Sequence, residues 1–370
     1  KQKTAYENMP SLVGSEMCIR DRYPTLQCNM RCRYCYTNSP QNYTINPKIL
    51  ENFFEFISPY ASISPKITIF GGEPTLNMKL LEKIKELSVE HFAFPKIVLP
   101  TNGILSQKKR EKLLDLVDRI FIPYEGTRGL MKKWRFSPIP NYISIIEESI
   151  RYFTKNFPDF HVRVILTEDK LDKIDDIVEN LERMGVEKAS LSLVIPFGRG
   201  TCLVRTQKRS WLMIQKYHEL MEKLEERGIS CVEFHFKEVA VPSPFHFGCG
   251  AGYRRITLGV DGSLGACSMW YIKKLLKKDK RMKRFYIGEV NEKGGKIFWD
   301  KVEEIMTHYK KLTKCKTCSV YPLCGSCLRM EREEDGKIVL DETLCKEQFD
   351  FYITFYTYLA KKYLIHKNRD

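Results

Sequence analysis

The sequence predicts an α/β protein made of repeated β/α units, followed by a cysteine-dense, loop-rich region. Three observations predict it. Between residue 47 and about residue 228, short β-rich runs alternate with patterns whose apolar residues recur at three and four. Each predicted strand ends in a polar or glycine-bearing turn that a bare scaffold would not require. After residue 240 the texture changes at the Pro/Gly-rich junction "VPSPFHFGCGAG".

Taken in order, a poorly formed first strand precedes Cys28. There "RDRYPTLQ" puts three charged residues where a buried parallel strand wants apolar ones. The better strands are "KITIF" (66–70), "KIVLP" (96–100), "RIFIPY" (119–124), "HVRVIL" (161–166) and "SLSLVIP" (190–196). Helical patterns lie between them: "PKILENFFEFI", "KLLEKIKELSVEHF", "QKKREKLLDLV", "YISIIEESIRYFTKNF" and "KIDDIVENLERMG". "TQKRSWLMIQKYHELMEKLEERG" follows the last strand, which makes six units. Repeated β/α units imply a parallel sheet with right-handed crossovers, either open and doubly wound or closed into an incomplete barrel. Beyond the junction, "RRITLGVDGSLGAC" reads as a hairpin turning at Asp261-Gly262, and "KEQFDFYITFYTYLAKKYL" as a terminal helix.

The chain has 370 residues, 43% of them hydrophobic, enough for a sizeable core. No apolar run reaches the roughly 18 residues of a membrane span, and the N-terminus lacks signal-peptide order. A cytoplasmic protein with no membrane partner is expected. The formal charge of +15 admits an acidic partner, but "KKLLKKDKRMKR" (273–284) is the only dense basic run and reads first as a solvated surface, so nucleic acid is not the expected ligand. The stretch "SLVGSEMCIRDR" resembles translated sequencing adapter, so residues 1–22 are set apart as a doubtful segment that an assembly artefact would explain.

Thirteen cysteines, an odd number without a leader and clustered at short spacings, point to metal and not to a disulfide framework. Cys28, Cys32 and Cys35 fall within eight positions, a spacing that suits a shared soft centre. Three ligands leave a coordination position open where four would close the site. A zinc site would need a nearby fourth ligand, and the first histidine is His91. An iron–sulfur cubane with one open iron fits the spacing better. The strand ends that would share its rim are "GGEP" (Gly71 to Pro74), "TNG" (Thr101 to Gly103), Glu125-Gly126, Arg163 with Thr167, and "PFGRG" (Pro196 to Gly200).

The CxxxCxxC spacing, Tyr34 before its last cysteine and GGEP after the second strand together resemble the radical S-adenosylmethionine (SAM) superfamily, over roughly residues 23 to 350. The resemblance implies a partial (β/α)6 TIM-like barrel over 23–235. It also implies a cluster on Cys28, Cys32 and Cys35, and SAM contacts from Tyr34, Gly71, Gly72, Glu73, Asn102 and Arg163. The later cysteines resemble the SPASM domain, here 236–350, with the terminal helix over 351–370. Two auxiliary [4Fe–4S] clusters would follow, three clusters in all. Cys249, Cys267 and Cys327 would hold one, and Cys315, Cys318, Cys324 and Cys345 the other. Cys324 and Cys327 are separated by two residues where the family pattern has three, which weakens the assignment of Cys327. The three-thiolate cluster is left either open to a substrate thiolate or completed by Cys231, His246 or another group. A zinc module is the rival, but its two CxxC pairs are only five residues apart.

The implied activity is reductive SAM cleavage and hydrogen abstraction from a peptide, with thioether or carbon–carbon crosslinking of a ribosomally made peptide expected first. A protein electron donor such as ferredoxin or flavodoxin, and a separate leader-binding partner, are expected. Anaerobic sulfatase maturation ranks lower, because Ser268 stands where those enzymes look to carry an acidic base. Tailoring of a cofactor precursor is a further option. A non-catalytic iron–sulfur scaffold or nucleic-acid binder would not need an open iron.

Overall fold

In the computed structural model, the described residues are 23–194, 199–200, 211–232, 251, 255–274, 280–307, 317–320, 331–334 and 337–340, with single positions between 342 and 360. Its centre is a parallel sheet of six strands: β2 (Lys66–Thr68), β3 (Lys96–Pro100), β4 (Arg119–Pro123), β6 (Phe160–Leu166), β7 (Lys188–Leu193) and β8 (Ser230–Cys231), in that order. Two shorter strands, β1 (Arg31–Cys32) and β5 (Arg135–Phe136), pair with each other outside it. The helices are α1 (Pro47–Ile57), α2 (Met78–His91), α3 (Gln107–Leu116), α4 (Arg128–Trp134), α5 (Tyr142–Asn156), α6 (Ile174–Arg183) and α7 (Trp211–Glu226).

Local chemistry explains the helices. Asn46 caps α1 by accepting from the Lys48 N–H at 2.9 Å, and Pro47 sits in the first turn, where its missing donor costs nothing. Leu50, Phe53, Phe54 and Ile57 then recur at helical spacing and are all buried. In α5 the same stripe is Ile143, Ile146, Ile150 and Phe153. Both stripes join the hydrophobic core, α5 against β6 and α1 against α2, and right-handed β/α crossovers carry the chain between neighbouring strands.

The expected six strands and the observed six differ at both ends. The stretch before Cys28 does not join the sheet as a regular strand. Pro24 has no donor to give, and the segment is held on both sides by irregular bonds: Thr25 O and Gln27 O accept from Gly72 N and Glu73 N at 2.9 and 2.7 Å, while Leu26 N donates to Tyr43 O at 2.9 Å. Tyr23 and Leu26 are nevertheless fully buried. The sixth place is taken by β8, after α7, parallel to β7. Helix α4 and the β1–β5 pairing were not expected from sequence.

The hairpin in the cysteine-rich region forms as read. Thr257–Leu258 (β9) and Ser263–Gly265 (β10) pair antiparallel, Asp261 Oδ1 accepts from Ser263 N at 3.2 Å, and Gly262 turns with φ +81°. Tyr286–Asn291 (β11) and Gly294–Ile297 (β12) extend it to four strands, followed by α8 (Trp299–Thr307). Glu331–Glu334 (β13) and Lys337–Leu340 (β14) make a separate hairpin. In the basic run, Lys273 pairs with Glu289 at 2.9 Å and lies over the Tyr286 ring, so part of that charge is neutralised locally. Of the predicted terminal helix, the described positions between 352 and 360 are helical and Tyr352 is buried. No helix among the described residues is long and apolar enough to cross a membrane.

Candidate active site

The strands alternate with period two, and one set of alternate side chains opens on a cavity of about 330 Å³. From β2 and its extension come Lys66, Thr68 and Phe70; from β3, Val98 and Pro100; from β4, Phe121 and Pro123. Strand β6 gives Arg163 and Ile165, and β7 gives Ser192 with Val194 just beyond it. Register puts these in rows, with Thr68 opposite Val98, Pro100 opposite Phe121 and Pro123 opposite Arg163. The opposite set, such as Val162, Val164 and Leu166, packs in the core.

All nine residues expected around SAM and its cluster line this one cavity: Cys28, Cys32, Tyr34, Cys35, Gly71, Gly72, Glu73, Asn102 and Arg163. The two glycines are explained by the chain itself. A Cβ on Gly71 would stand 2.4 Å from Thr25 O, and one on Gly72 would stand 2.1 Å from Gln27 O. The backbone leading to Cys28 therefore lies directly on the end of β2, and only glycine allows it. Glu73, almost wholly buried, ties the next loop. Its Oε1 accepts from Thr75 N at 3.1 Å, Thr75 Oγ1 at 2.6 Å and Thr101 Oγ1 at 2.8 Å, and its Oε2 from Asn102 N at 2.6 Å. Asn102 Nδ2 in turn donates to Asn29 Oδ1 at 2.6 Å, and Ser137 Oγ to Asn29 O at 2.7 Å, so three loops grip the cysteine loop.

None of the described cysteines is in a disulfide. Among the described residues, no three His, Cys, Asp or Glu side chains converge on a point that would hold one metal ion. Cys28, Cys32 and Cys35 share one wall of the cavity. Burial, then the charge of Glu73, pushes the Cys28 thiol up to about 12, and burial also raises Cys32. Without metal they stay protonated, and binding a metal centre must displace those protons.

Behind the cysteines lies a buried polar group that sequence reasoning missed. The Tyr34 hydroxyl donates to Glu125, Lys170 Nζ pairs with the other Glu125 oxygen, and Arg135 Nη1 donates to the Tyr34 hydroxyl at 2.9 Å. Glu125 and Lys170 are fully buried. Burial, set against the Arg135 charge, raises the Tyr34 hydroxyl above its usual range. For Arg135 burial works against the charged form, but Cys32, Tyr34 and Glu125 outweigh it and raise the group overall. The Arg135 Nε has no hydrogen-bond partner. A donor set of three thiols with an underused buried cation fits an anionic iron–sulfur centre.

The side of the cavity lined by β6 is cationic. Arg163 stacks on Phe121, its guanidinium carbon 3.8 Å from the ring centre, and donates through Nε to Ser190 Oγ at 3.3 Å. Burial lowers it to about 10, so it stays charged at neutral pH. His161 stacks on the same ring, and burial with the neighbouring Arg163 lowers it to about 2, leaving it neutral. Arg199, from the "PFGRG" turn, donates through Nε to Cys32 O at 2.8 Å and through Nη2 to Ser39 O at 2.6 Å.

The cysteine-rich region closes the cavity with Arg255, Ser268 and Met269. Arg255 Nη1 donates to Ser268 Oγ at 3.2 Å, and the Tyr23 hydroxyl donates to Ser268 O. Burial, then the nearby Cys35, pushes the Tyr271 hydroxyl up to about 12. Cys267 and Cys318 pack against the core, and Cys345 is half-buried. Cys231 lies on β8 with its thiol 3.8 Å from Met221 O. Cys249, Cys315, Cys324, Cys327 and His246 lie outside the described residues.

Residues 23–181 match the family model described as the radical SAM superfamily. The GTP 3′,8-cyclase of Helicobacter pylori (strain HPAG1) is 26% identical over 309 residues, 76% of this chain and 92% of that protein. Among solved structures, "Native anSMEcpe with bound AdoMet and Cp18Cys peptide" superposes with a TM-score of 0.70 at 15% identity, covering 94% of this chain and 98% of that one. Streptococcus suis SuiB bound to precursor peptide SuiA does so with a TM-score of 0.61 at 16% identity, covering 88% and 77%. With these thiols and glycine-bearing strand ends, residues 23–181 are a radical SAM domain, of the kind that works with SAM and an iron–sulfur cluster, and the chain as a whole shares the fold of those two solved structures.

Proposed function

We infer that Cys28, Cys32 and Cys35 hold the SAM-binding cluster and that the enzyme modifies a ribosomally made peptide, forming a thioether or carbon–carbon crosslink. The observation that carries this reading is the cavity shared by the three thiols, Glu73, Asn102, Arg163 and, from the cysteine-rich region, Ser268 and Met269. When bound, the cluster and SAM supply a 5′-deoxyadenosyl radical, made by one-electron cleavage and able to take a hydrogen atom from an unactivated carbon. The chain's task is orientation and exclusion of water. Arg163 offers a guanidinium to the SAM carboxylate. The GGEP backbone, with Glu73 Oε2 holding one described donor, would receive the SAM ammonium. Arg199 and Ser137 hold the cysteine loop at its backbone, through Cys32 O and Asn29 O.

Cys249, Cys267 and Cys327, and separately Cys315, Cys318, Cys324 and Cys345, are proposed as ligands of two auxiliary [4Fe–4S] clusters, with ferredoxin or flavodoxin as electron donor. The peptide-bound solved structures favour a peptide substrate. Ser268 lies on the cavity with a hydroxyl and no carboxylate, which disfavours formylglycine formation. The second reading, a small nucleotide or cofactor precursor, is favoured by the sequence likeness to GTP 3′,8-cyclase.

The test is anaerobic reconstitution with SAM and dithionite, reading 5′-deoxyadenosine by mass. Release is expected from the full chain and not from the Cys28→Ala, Cys32→Ala, Cys35→Ala triple variant. Equal release from both would overturn the assignment. Deuterium appearing in 5′-deoxyadenosine from deuterated peptides supports the peptide reading, and GTP-dependent turnover instead would replace it.

A further inference from the structure

The geometry points to Arg135 as a positioning residue that acts through Cys32: a buried cation that raises the reduction potential of the centre held by Cys28, Cys32 and Cys35. The inference rests on the proposed assignment of that centre. Cys32 and Arg135 are direct partners in the antiparallel β1–β5 pairing. Directly opposite residues project from the same face with their Cβ atoms about 5 Å apart. Both residues line the cavity.

The charge balance gives the pairing its meaning. Arg135 is 5% exposed, and its nearest carboxylate, Glu125, stands 3.9 Å away. That carboxylate is already engaged by the fully buried Lys170. Two buried cations thus share one buried anion, and the Arg135 Nε has no acceptor. A guanidinium left in this state is costly unless another anion faces it. The anion within reach is the metal-bound Cys32 thiolate, since thiols that ligate a metal are deprotonated. Arg199 is the other cation near Cys32, but its guanidinium is spent on two backbone carbonyls.

Reduction adds one electron to the centre, taken from a low-potential one-electron donor, with no bond made or broken. A fixed positive charge across from one ligand stabilises the more negative, reduced form and moves the potential upward. SAM cleavage depends on that electron, so Arg135 eases its delivery without touching substrate.

The experiment is an electron paramagnetic resonance titration of the anaerobically reconstituted full chain with dithionite and mediators. The relevant signal is the one that changes when SAM is added. Arg135→Gln keeps a donor for Tyr34 and removes the charge. At the unaltered protein's midpoint it is expected to lower the reduced-to-oxidised ratio about tenfold, equivalent to ~59 mV for one electron. Arg135→Lys is expected to stay within about threefold of the unaltered protein. An unmoved midpoint in Arg135→Gln, or an equal fall in Arg135→Lys, overturns the inference. Should Arg135→Gln fail to take up iron, Arg135→Lys decides: a retained midpoint supports the charge and a tenfold fall refutes it. Absence of any SAM-responsive signal in the unaltered chain would instead sink the assignment of the centre, a result distinct from an unmoved midpoint.

Discussion

The carboxylate of Glu73 accepts the backbone N–H of Asn102 at 2.6 Å, joining the loop after β2 to the loop after β3. Three more donors, from Thr75 and Thr101, complete its environment. Glu73→Ala strands four buried donors at once. A loss on the order of 3 kcal/mol is expected in chemical denaturation of the apo chain, with loss of SAM binding in equilibrium dialysis. A stable Glu73→Ala protein that still binds SAM would show that this carboxylate does not organise the rim.

Gly72 bears the root of the cysteine loop. With Gln27 O 2.1 Å from the position a Cβ would take, Gly72→Ala must push that backbone away. About 2 kcal/mol of destabilisation and a clear drop in iron incorporated per chain are expected. Gly129 is the control, because a Cβ there meets nothing within 4 Å, and Gly129→Ala should keep full iron content by colorimetric assay.

Lys170 neutralises Glu125 where neither reaches water. Lys170→Met leaves the carboxylate with Tyr34 and the more distant Arg135, at a cost of about 3 kcal/mol. Pairing it with Glu125→Gln should recover part of the loss. A double variant as unstable as the sum of the two singles would mean the residues act independently.

His161 makes stability depend on acid. Burial first, then Arg163, holds its folded value at about 2, far below the roughly 6.5 of an exposed imidazole. Below about pH 6.5 the unfolded chain binds a proton that the folded chain refuses, so stability falls as pH falls across that window. At pH 5 the penalty is about 2 kcal/mol. His161→Asn should flatten the urea midpoint between pH 7.5 and pH 5 by a comparable amount, whatever its absolute stability. An unchanged slope would mean that His161 titrates in the folded state.

Much of the scaffold was legible because its patterns are local. The stripe Leu50, Phe53, Phe54 and Ile57 and the five-residue run Lys96–Pro100 announce their elements, and both were found where read. The three thiols and the GGEP turn were legible by spacing. The Arg135, Glu125 and Lys170 group was not. Lys170 sits in "TEDKLDK", which reads as a solvated turn, and Arg135 follows two lysines in "KKWRF", which reads as a basic surface. Lys170 finds Glu125 45 positions away and Arg135 finds Tyr34 101 positions away, distances at which no periodicity operates. The first strand failed for a related reason: Pro24 and its neighbours are buried by contacts from Tyr43 and Gly72, not by a strand pattern of their own.

The bonds from Thr25 and Gln27 to Gly72 and Glu73 also bear on how the enzyme matures. Contacts between segments this far apart in the chain close late, after local helices have formed. Iron reaching a newly made chain would therefore meet cysteines on a slack loop, and only a finished sheet presents them as a socket. Cells short of iron should accumulate a folded, colourless precursor that a later supply can fill.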